Sequence, residues 1–264
     1  MVVSVDSHLL IVRHPQTDAN VDGRFVGRGD TPYTTLGELQ RDLLATEIVG
    51  WAPDRIVSSP LRRTREVTEL GVVDTAEEQP WGPAVMAFGT VEVTRQVVGF
   101  LRKRIVTGEV LGEEALDLPQ RTLRTKATWW AVSPAALVEA QLTAADLPGA
   151  LHAAEHAAIG LLPLFATCDR WDIGGVSTAL HPDTERPTVF VYDGQAGGAG
   201  FAEQGFRRAP AWLRATRSAI ADCGCADGCP SCVQSPKCGN GNDPLDKAGA
   251  ARLLDVLLDG APRG

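Results

Sequence analysis

The apolar positions of this chain come in short runs separated by amphipathic stretches. His8-Leu-Leu-Ile-Val-Arg13 is an apolar run of strand length, and residues 34–48 carry a helix-like pattern. Asp54-Arg-Ile-Val-Ser-Ser-Pro-Leu-Arg-Arg63 reads as a second strand, a turn and a helix start. Between residues 83 and 89 the pattern changes. Val91, Val93 and residues 96–100 and 102–105 fit antiparallel strands with a polar face, with a turn at Thr107-Gly108-Glu109. A further β-prone run ends at Trp129-Trp130. On a strand these two point to opposite faces, so one is core and the other belongs to an interface or a satellite cluster. Residues 135–144 predict a short helix and residues 148–164 a longer, Ala-rich one. Residues 187–193 predict a buried strand, followed by a Gly-rich turn over 194–200 and a helix to about Ala221. Residues 243–258 predict a last amphipathic helix with Leu245, Ala248, Leu253, Leu254 and Leu257 apolar. The fold class expected is α/β, α+β overall: a partial α/β segment over residues 1–85, then a mixed α/β domain over residues 86–264.

Five of the six cysteines fall between Cys223 and Cys238, spaced C-x-C-x3-C-x2-C-x5-C. Cys229-Pro-Ser-Cys232 is a knuckle whose C-x2-C spacing lets two thiolates face one tetrahedral ion. Gly224, Gly228, Gly239 and Gly241 supply unusual backbone angles, and Pro230 and Pro236 stiffen the turns. Five candidates for four positions leave one over. The favoured set is Cys223, Cys225, Cys229 and Cys232, with Cys238 as spare or substitute. A disulfide cluster needs an even local count and a secreted chain; five is odd, and the N-terminus lacks the basic start of a signal peptide. The cofactor expected is therefore Zn2+ in a structural role, since an all-thiolate shell is closed to substrate.

Composition narrows the partners. The apolar fraction of 44% allows a sizeable core, and no apolar run reaches membrane-spanning length. The reading is a cytoplasmic chain without membrane contact. A net charge of −8 argues against general nucleic-acid coating and leaves only local basic patches. The candidates are Arg207, Arg208, Arg214 and Arg217 on one helix, and Arg102, Lys103 and Arg104 on the β part. The Gly-rich turn can cradle phosphate at a helix N-terminus. It lacks the Walker Lys-Ser/Thr and the full dinucleotide spacing, so a tight strand-to-helix turn is preferred.

Arg13-His14-Pro15-Gln16-Thr17 follows the first strand. An imidazole beside an arginine at a strand end is placed to attack phosphorus while the guanidinium neutralises phosphate oxygens. With Ser58, Ser59, Leu61 and Arg63 in the second motif, residues 6–70 resemble the histidine phosphatase (phosphoglycerate mutase-like) family, with Pro15 replacing its glycine. The resemblance implies His14 as phosphorylated nucleophile, Arg13 and Arg63 as phosphate grips, and phosphate or a phosphomonoester as ligand. The family's second histidine, in a Ser/Gly-His-Gly turn, has no counterpart among His152, His156 and His181. Glu77 and Glu78 fall about where its general acid comes, without the expected surroundings.

His152-Ala-Ala-Glu155-His156 places two histidines at i and i+4 on one helix face. The pattern is that of H-x-x-E-H zinc proteases, but no downstream carboxylate ligand stands out. A polar network with Asp169 and Asp172 is the alternative. Residues 88–258 as a whole resemble the C-terminal zinc-binding region of DEAD/DEAH-box repair helicases of the MrfA type. The matching residues are Thr107-Gly-Glu109, Leu116-Asp-Leu-Pro119, Trp129-Trp130, Leu151-His-x2-Glu-His156, Cys168-Asp-x2-Asp-Ile-Gly-Gly175, Tyr192-Asp-Gly194, Gly197-Gly198 and the cysteine cluster through Asn242-x2-Leu245. This implies zinc binding, helicase motor domains as partners, a supporting part in DNA unwinding and repair, and weak local contact with single-stranded DNA. The motor's Walker A loop and Asp-Glu-x-His box do not occur in these 264 residues, so ATP hydrolysis is not expected of them. The leading reading is a zinc-binding helicase accessory domain joined near residues 70–90 to an incomplete phosphatase segment, by natural fusion or by an artefact of assembly. A phosphohydrolase acting through a phosphohistidine at His14, and a zinc protease using His152 and His156, are the rivals.

Overall fold

The computed structural model describes residues 34–36, 40, 64–103 and 110–262. The chain divides into two compact units, residues 1–62 with 103–111 and residues 63–102 with 112–264. The described architecture belongs almost wholly to the second.

That unit is an antiparallel sheet with helices packed on one face. Its strands are β1 (Thr64–Trp81), β2 (Ala84–Lys103), β3 (Val110–Ala115), β4 (Arg121–Val132), β5 (Ile173–His181) and β6 (Arg186–Asp193). The order is β1-β2-β4-β6-β5, with β3 pairing off β2. β1 and β2 form one long hairpin that closes at Trp81 and Ala84. Three register shifts along it, between Arg65/Glu66, Val72/Asp74 and Thr75/Glu77, bend the ribbon. Gly89 permits one of them, because a Cβ there would stand 2.0 Å from the Asp74 carbonyl oxygen. The bending brings the two end strands of the path together. His181 Nε2 donates to the Leu70 carbonyl at 2.8 Å, and Val72 N–H donates to Asp183 Oδ2 at 2.7 Å.

Side chains alternate across the sheet as strand geometry requires. Met86, Trp130, Val132, Val189 and Val191 face the helices and join the main core. Ala87, Trp129, Phe190 and Tyr192 face the other way and form a smaller cluster with Leu70, Val91 and Val93. Both tryptophans are thus buried, one in the core and one in a satellite cluster.

The helices are α1 (Pro134–Glu139), α2 (Leu147–Leu161), α3 (Phe201–Arg207), α4 (Ala209–Ala221) and α5 (Lys247–Asp259). α2 lies between the sheet and α4 and α5, and Ala150, Ala153, Ala154, Ala157 and Ala158 have no exposed surface. Only small side chains let neighbours approach a helix closely on several sides. Trp212 of α4 packs edge-on against Trp130, with ring centroids 5.9 Å apart, and its indole N–H donates to the Ala158 carbonyl at 2.9 Å. The helix expected to run unbroken to Ala221 is two, because Pro210 in the first turn of α4 has no N–H to continue α3. The last helix starts at Lys247, where the Asp246 side chain accepts from Gly249 N–H at 2.8 Å.

Trp212 is fully buried and links α4, α2 and the sheet. Trp212→Ala is expected to destabilise the folded unit by about 3–5 kcal/mol, read as a lower denaturation midpoint in urea.

Candidate metal centre

The chain leaves α4 at Asp222 and reaches α5 only at Lys247. The loop between them turns at the knuckle. Gly228 holds φ +112°, and a Cβ there would stand 2.4 Å from the Val233 side chain, so only glycine fits. Gly241 is also left-handed, at φ +69°; Gly224 and Gly239 are not among the left-handed positions, so two of the four glycines carry the unusual angles.

Cys223, Cys225, Cys229 and Cys232 bring their sulfurs within 4.8 Å of one another. The separations are 3.6 Å for Cys223–Cys225, 3.5 Å for Cys223–Cys229, 3.5 Å for Cys225–Cys232 and 3.8 Å for Cys229–Cys232. A tetrahedral ion with ~2.3 Å metal–sulfur bonds sets its ligands about 3.8 Å apart. A disulfide needs about 2.05 Å, and all six cysteines are free. The group is suited to one zinc ion.

Burial pushes the Cys232 thiol up to about 12. Burial also raises the pKa of Cys225, but hydrogen bonds from Cys223, Cys232, Cys229 and Lys247 outweigh it and bring the thiol down to about 7. The Ser231 backbone and Cys223 lower Cys229. Four neighbouring thiols cannot all ionise against one another, and a bound dication is what removes that conflict. Lys247, at the start of α5, donates to the Cys223 and Cys225 carbonyls at 2.6 Å each and to Cys225 Sγ at 3.4 Å. The Cys229 N–H points at Cys232 Sγ at 3.3 Å. Lys247 had no signal in the cysteine spacing, because its role depends on the start of α5 folding back over the knuckle.

Cys238 stands apart from this group. Its sulfur lies 3.4 Å from His152 Nε2 and accepts from the Asn242 N–H at 3.2 Å. His152 and His156, one turn apart on α2, have ring centroids 4.2 Å apart. The donor atoms of His152, His156 and Cys238 all lie within 4.8 Å of one another. Burial raises the Cys238 pKa, but hydrogen bonds from His152, His156 and Asn242 outweigh it and hold the thiol down at about 5. Burial opposes a charge on His152, while Cys238 and Glu155 raise its pKa on balance.

The expected network of these histidines with Asp169 and Asp172 does not form. Asp172 accepts from Asp169 N–H and Asp169 from Trp171 N–H, while the imidazoles bond to backbone carbonyls. Glu155 is buried against β5, and an added Cβ at Gly175 would meet its carboxylate oxygen at 2.6 Å. Burial raises its pKa, so it is held toward its neutral form. Its carboxylate is buried against Gly175 of β5 and not open to a substrate water, which is not how a zinc protease places its base.

Other expected positions divide. Arg13, His14 and Arg63 lie outside the described residues, as does Arg104, and the side chains of Arg102 and Lys103 are likewise not described. Arg207 is bonded to Glu77 through both terminal nitrogens and sits 3.6 Å from Glu203. Arg217 pairs with Asp255 at 2.7 and 3.0 Å. Half of the basic stripe is therefore neutralised locally. The Gly-rich turn after β6 holds an anion of its own. Buried Asp193 accepts from the N–H groups of Ala199 at 2.6 Å, Gly200 at 2.8 Å and Ala202 at 2.7 Å. A phosphate would have to displace this carboxylate. The aspartate immediately before the glycines was the signal for it.

Because Lys247 ties two ligand-bearing carbonyls to α5, Lys247→Ala is expected to weaken zinc affinity by about 10–100-fold with unchanged far-ultraviolet circular dichroism. Competition against a metallochromic chelator measures it.

Known relatives divide along the same line. The family model described as MrfA Zn-binding domain matches residues 154–233, and that of the histidine phosphatase superfamily (branch 1) matches residues 9–74. The uncharacterized protein MJ1572.1 of Methanocaldococcus jannaschii is 40% identical over 111 residues, covering 41% of this chain and 99% of that protein. The uncharacterized ATP-dependent helicase YprA of Bacillus subtilis is 30% identical over 166 residues, 62% of this chain and 22% of the helicase. A crystal structure of the DUF1998 helicase MrfA bound to DNA matches with a TM-score of 0.59 at 26% identity, covering 76% of this chain and 26% of that one. The chain thus spans only a minor part of the helicases it matches. No described helix is long and apolar enough to cross a membrane. With its tetrathiolate knuckle, its sheet and these relatives, the chain belongs to the family of the MrfA Zn-binding domain, and it carries ahead of that domain a segment similar to the histidine phosphatase superfamily.

Proposed function

We propose that this chain is the zinc-stabilised accessory part of a DEAD/DEAH-box helicase acting in DNA repair, with the ATPase motor supplied from outside these residues. The zinc-binding domain is taken as residues 86–264 and the phosphatase-like segment as residues 1–85. The observation that carries the reading is the tetrathiolate group, whose sulfur spacings suit zinc inside a stretch matched by a helicase zinc-binding domain. Its ligands are Cys223, Cys225, Cys229 and Cys232, and Cys238 is the cysteine left over. Thiolates bind metal only when deprotonated, so acidification is expected to release the ion and loosen the loop between α4 and α5. The double variant Cys229→Ser, Cys232→Ser is expected to lose this ion at neutral pH. Metal analysis and limited proteolysis read both effects, and a double variant that keeps its full zinc content would rule the ligand set out.

The domain's part in the helicase is to brace the motor and to touch DNA only locally. Arg207 and Arg217 are ion-paired, which leaves exposed Arg208 and Arg214 as the cations for phosphate. Such contacts read no sequence and release counterions. Binding to labelled single-stranded DNA is therefore expected to be weak and to fall steeply with salt. Arg208→Ala with Arg214→Ala is expected to flatten the log–log salt dependence by about 0.7 for each phosphate that is no longer neutralised. Undiminished binding by that variant would leave bracing as the domain's sole role. Co-purification with a helicase motor from the native cells tests the partnership itself.

A second reading rests on the match of residues 9–74 to the histidine phosphatase superfamily. Here His14 is the nucleophile, Arg13 and Arg63 bind phosphate, and a phosphomonoester is the ligand. With no second histidine in the family's setting, turnover is expected to stay near background. Robust phosphomonoester hydrolysis that His14→Ala abolishes would make the enzyme reading the correct one.

A further inference from the structure

We propose that His152, His156 and Cys238 form a second metal site, separate from the tetrathiolate, that takes a divalent cation of the zinc class through two imidazole nitrogens and one thiolate. The geometry of this group turns three donor atoms toward one point. His152 Nδ1 is 2.8 Å from the Pro244 carbonyl oxygen, and His156 Nδ1 is 2.9 Å from that of Val233. A carbonyl can only accept, so both Nδ1 atoms carry the proton. In each neutral ring Nε2 is then a bare lone pair. The ligand atoms of both rings and Cys238 Sγ converge within 4.8 Å. Without an ion these atoms are reconciled only by extra protons on the rings, each Nε2–H then donating to the Cys238 sulfur. A cation accepts all three lone pairs at once.

The distances suit a metal. Bonds of ~2.3 Å to sulfur and ~2.05 Å to nitrogen at a tetrahedral angle put the two ligand atoms about 3.6 Å apart. The His152 Nε2 to Cys238 Sγ separation is 3.4 Å. The histidine-to-carbonyl bonds are the outer contacts that fix ring orientation in metal sites, and the Asn242 N–H supports the sulfur as the Cys229 N–H supports Cys232. His152 and Cys238 lie outside the residues matched by the zinc-binding family model, and the tetrathiolate needs neither.

Three protein ligands leave a fourth position for water or another small donor. The place of the site in the chain gives its role. Val233 and Pro244 bracket the loop whose middle carries Cys238, and all three are held to one face of α2. The ion would pin this loop onto α2, completing what the tetrathiolate begins at residues 223–232.

The test is cobalt titration of the full chain, followed by zinc X-ray absorption on the protein loaded to saturation. The wild-type chain is expected to take up two equivalents, with sulfur and nitrogen both present in the zinc shell. Cys238→Ser and His156→Ala are each expected to bind one equivalent, with the tetrathiolate charge-transfer absorption intact. The Cys229→Ser, Cys232→Ser protein is expected to keep one ion with a nitrogen-rich shell. Wild-type protein that saturates at one equivalent with an all-sulfur shell would overturn the second site while leaving the tetrathiolate standing, and this result needs no variant to fold. Retention of both ions by Cys238→Ser would overturn it equally.

Discussion

Helix α2 has almost no free side, and the rest of the unit follows from that. It must touch the sheet, α4 and α5 together, which only a face of alanines allows. The few larger groups it carries are consequently committed. Leu151 and Leu162, just beyond its end, fill the core. Glu155 is buried against β5, and the two histidines reach the cysteine loop. A helix this crowded cannot rotate or slide without breaking contacts on every side, which makes it a fixed reference for the loop between α4 and α5.

That loop has no core of its own. Between Asp222 and Asp246 it contains no helix or strand, and its buried apolar contribution is little more than Val233 and Cys232. Order there must come from polar and metal-ligand bonds. Lys247 supplies part of it by reaching back to the Cys223 and Cys225 carbonyls, and Asn242 bonds the Ser235 backbone on both sides, at 2.7 and 3.2 Å. Small metal-bound loops are commonly held this way, because binding energy substitutes for burial that the segment is too short to achieve.

Much of this was legible in the sequence. The knuckle spacing pointed to zinc, and the Trp129-Trp130 pair pointed to two apolar clusters on opposite faces of one strand. What stayed hidden was hidden by particular packing demands. β5 opens with Gly174 and Gly175, which disguise a strand; a Cβ at Gly174 would stand 2.4 Å from the Tyr192 ring. β1 is long and rich in Thr and Glu, and its partner is fixed by a hairpin rather than by its own pattern. Cys238 was visible as a surplus cysteine and His152 and His156 as a pair. Their convergence needed the fold of residues 233–244, which no local spacing encodes.

The meeting of β1 and β5 bears on how other molecules can engage this domain. An open sheet ends in rows of unpaired N–H and C=O groups that invite a foreign strand. Here the Leu70 carbonyl and the Val72 N–H are already taken, by His181 and Asp183. One acceptor and one donor of this edge are thus occupied, and a strand added at those two residues would have to displace both side chains. Edge pairing at that point therefore costs the two bonds that His181 and Asp183 make, which disfavours pairing of the domain with its own copies there.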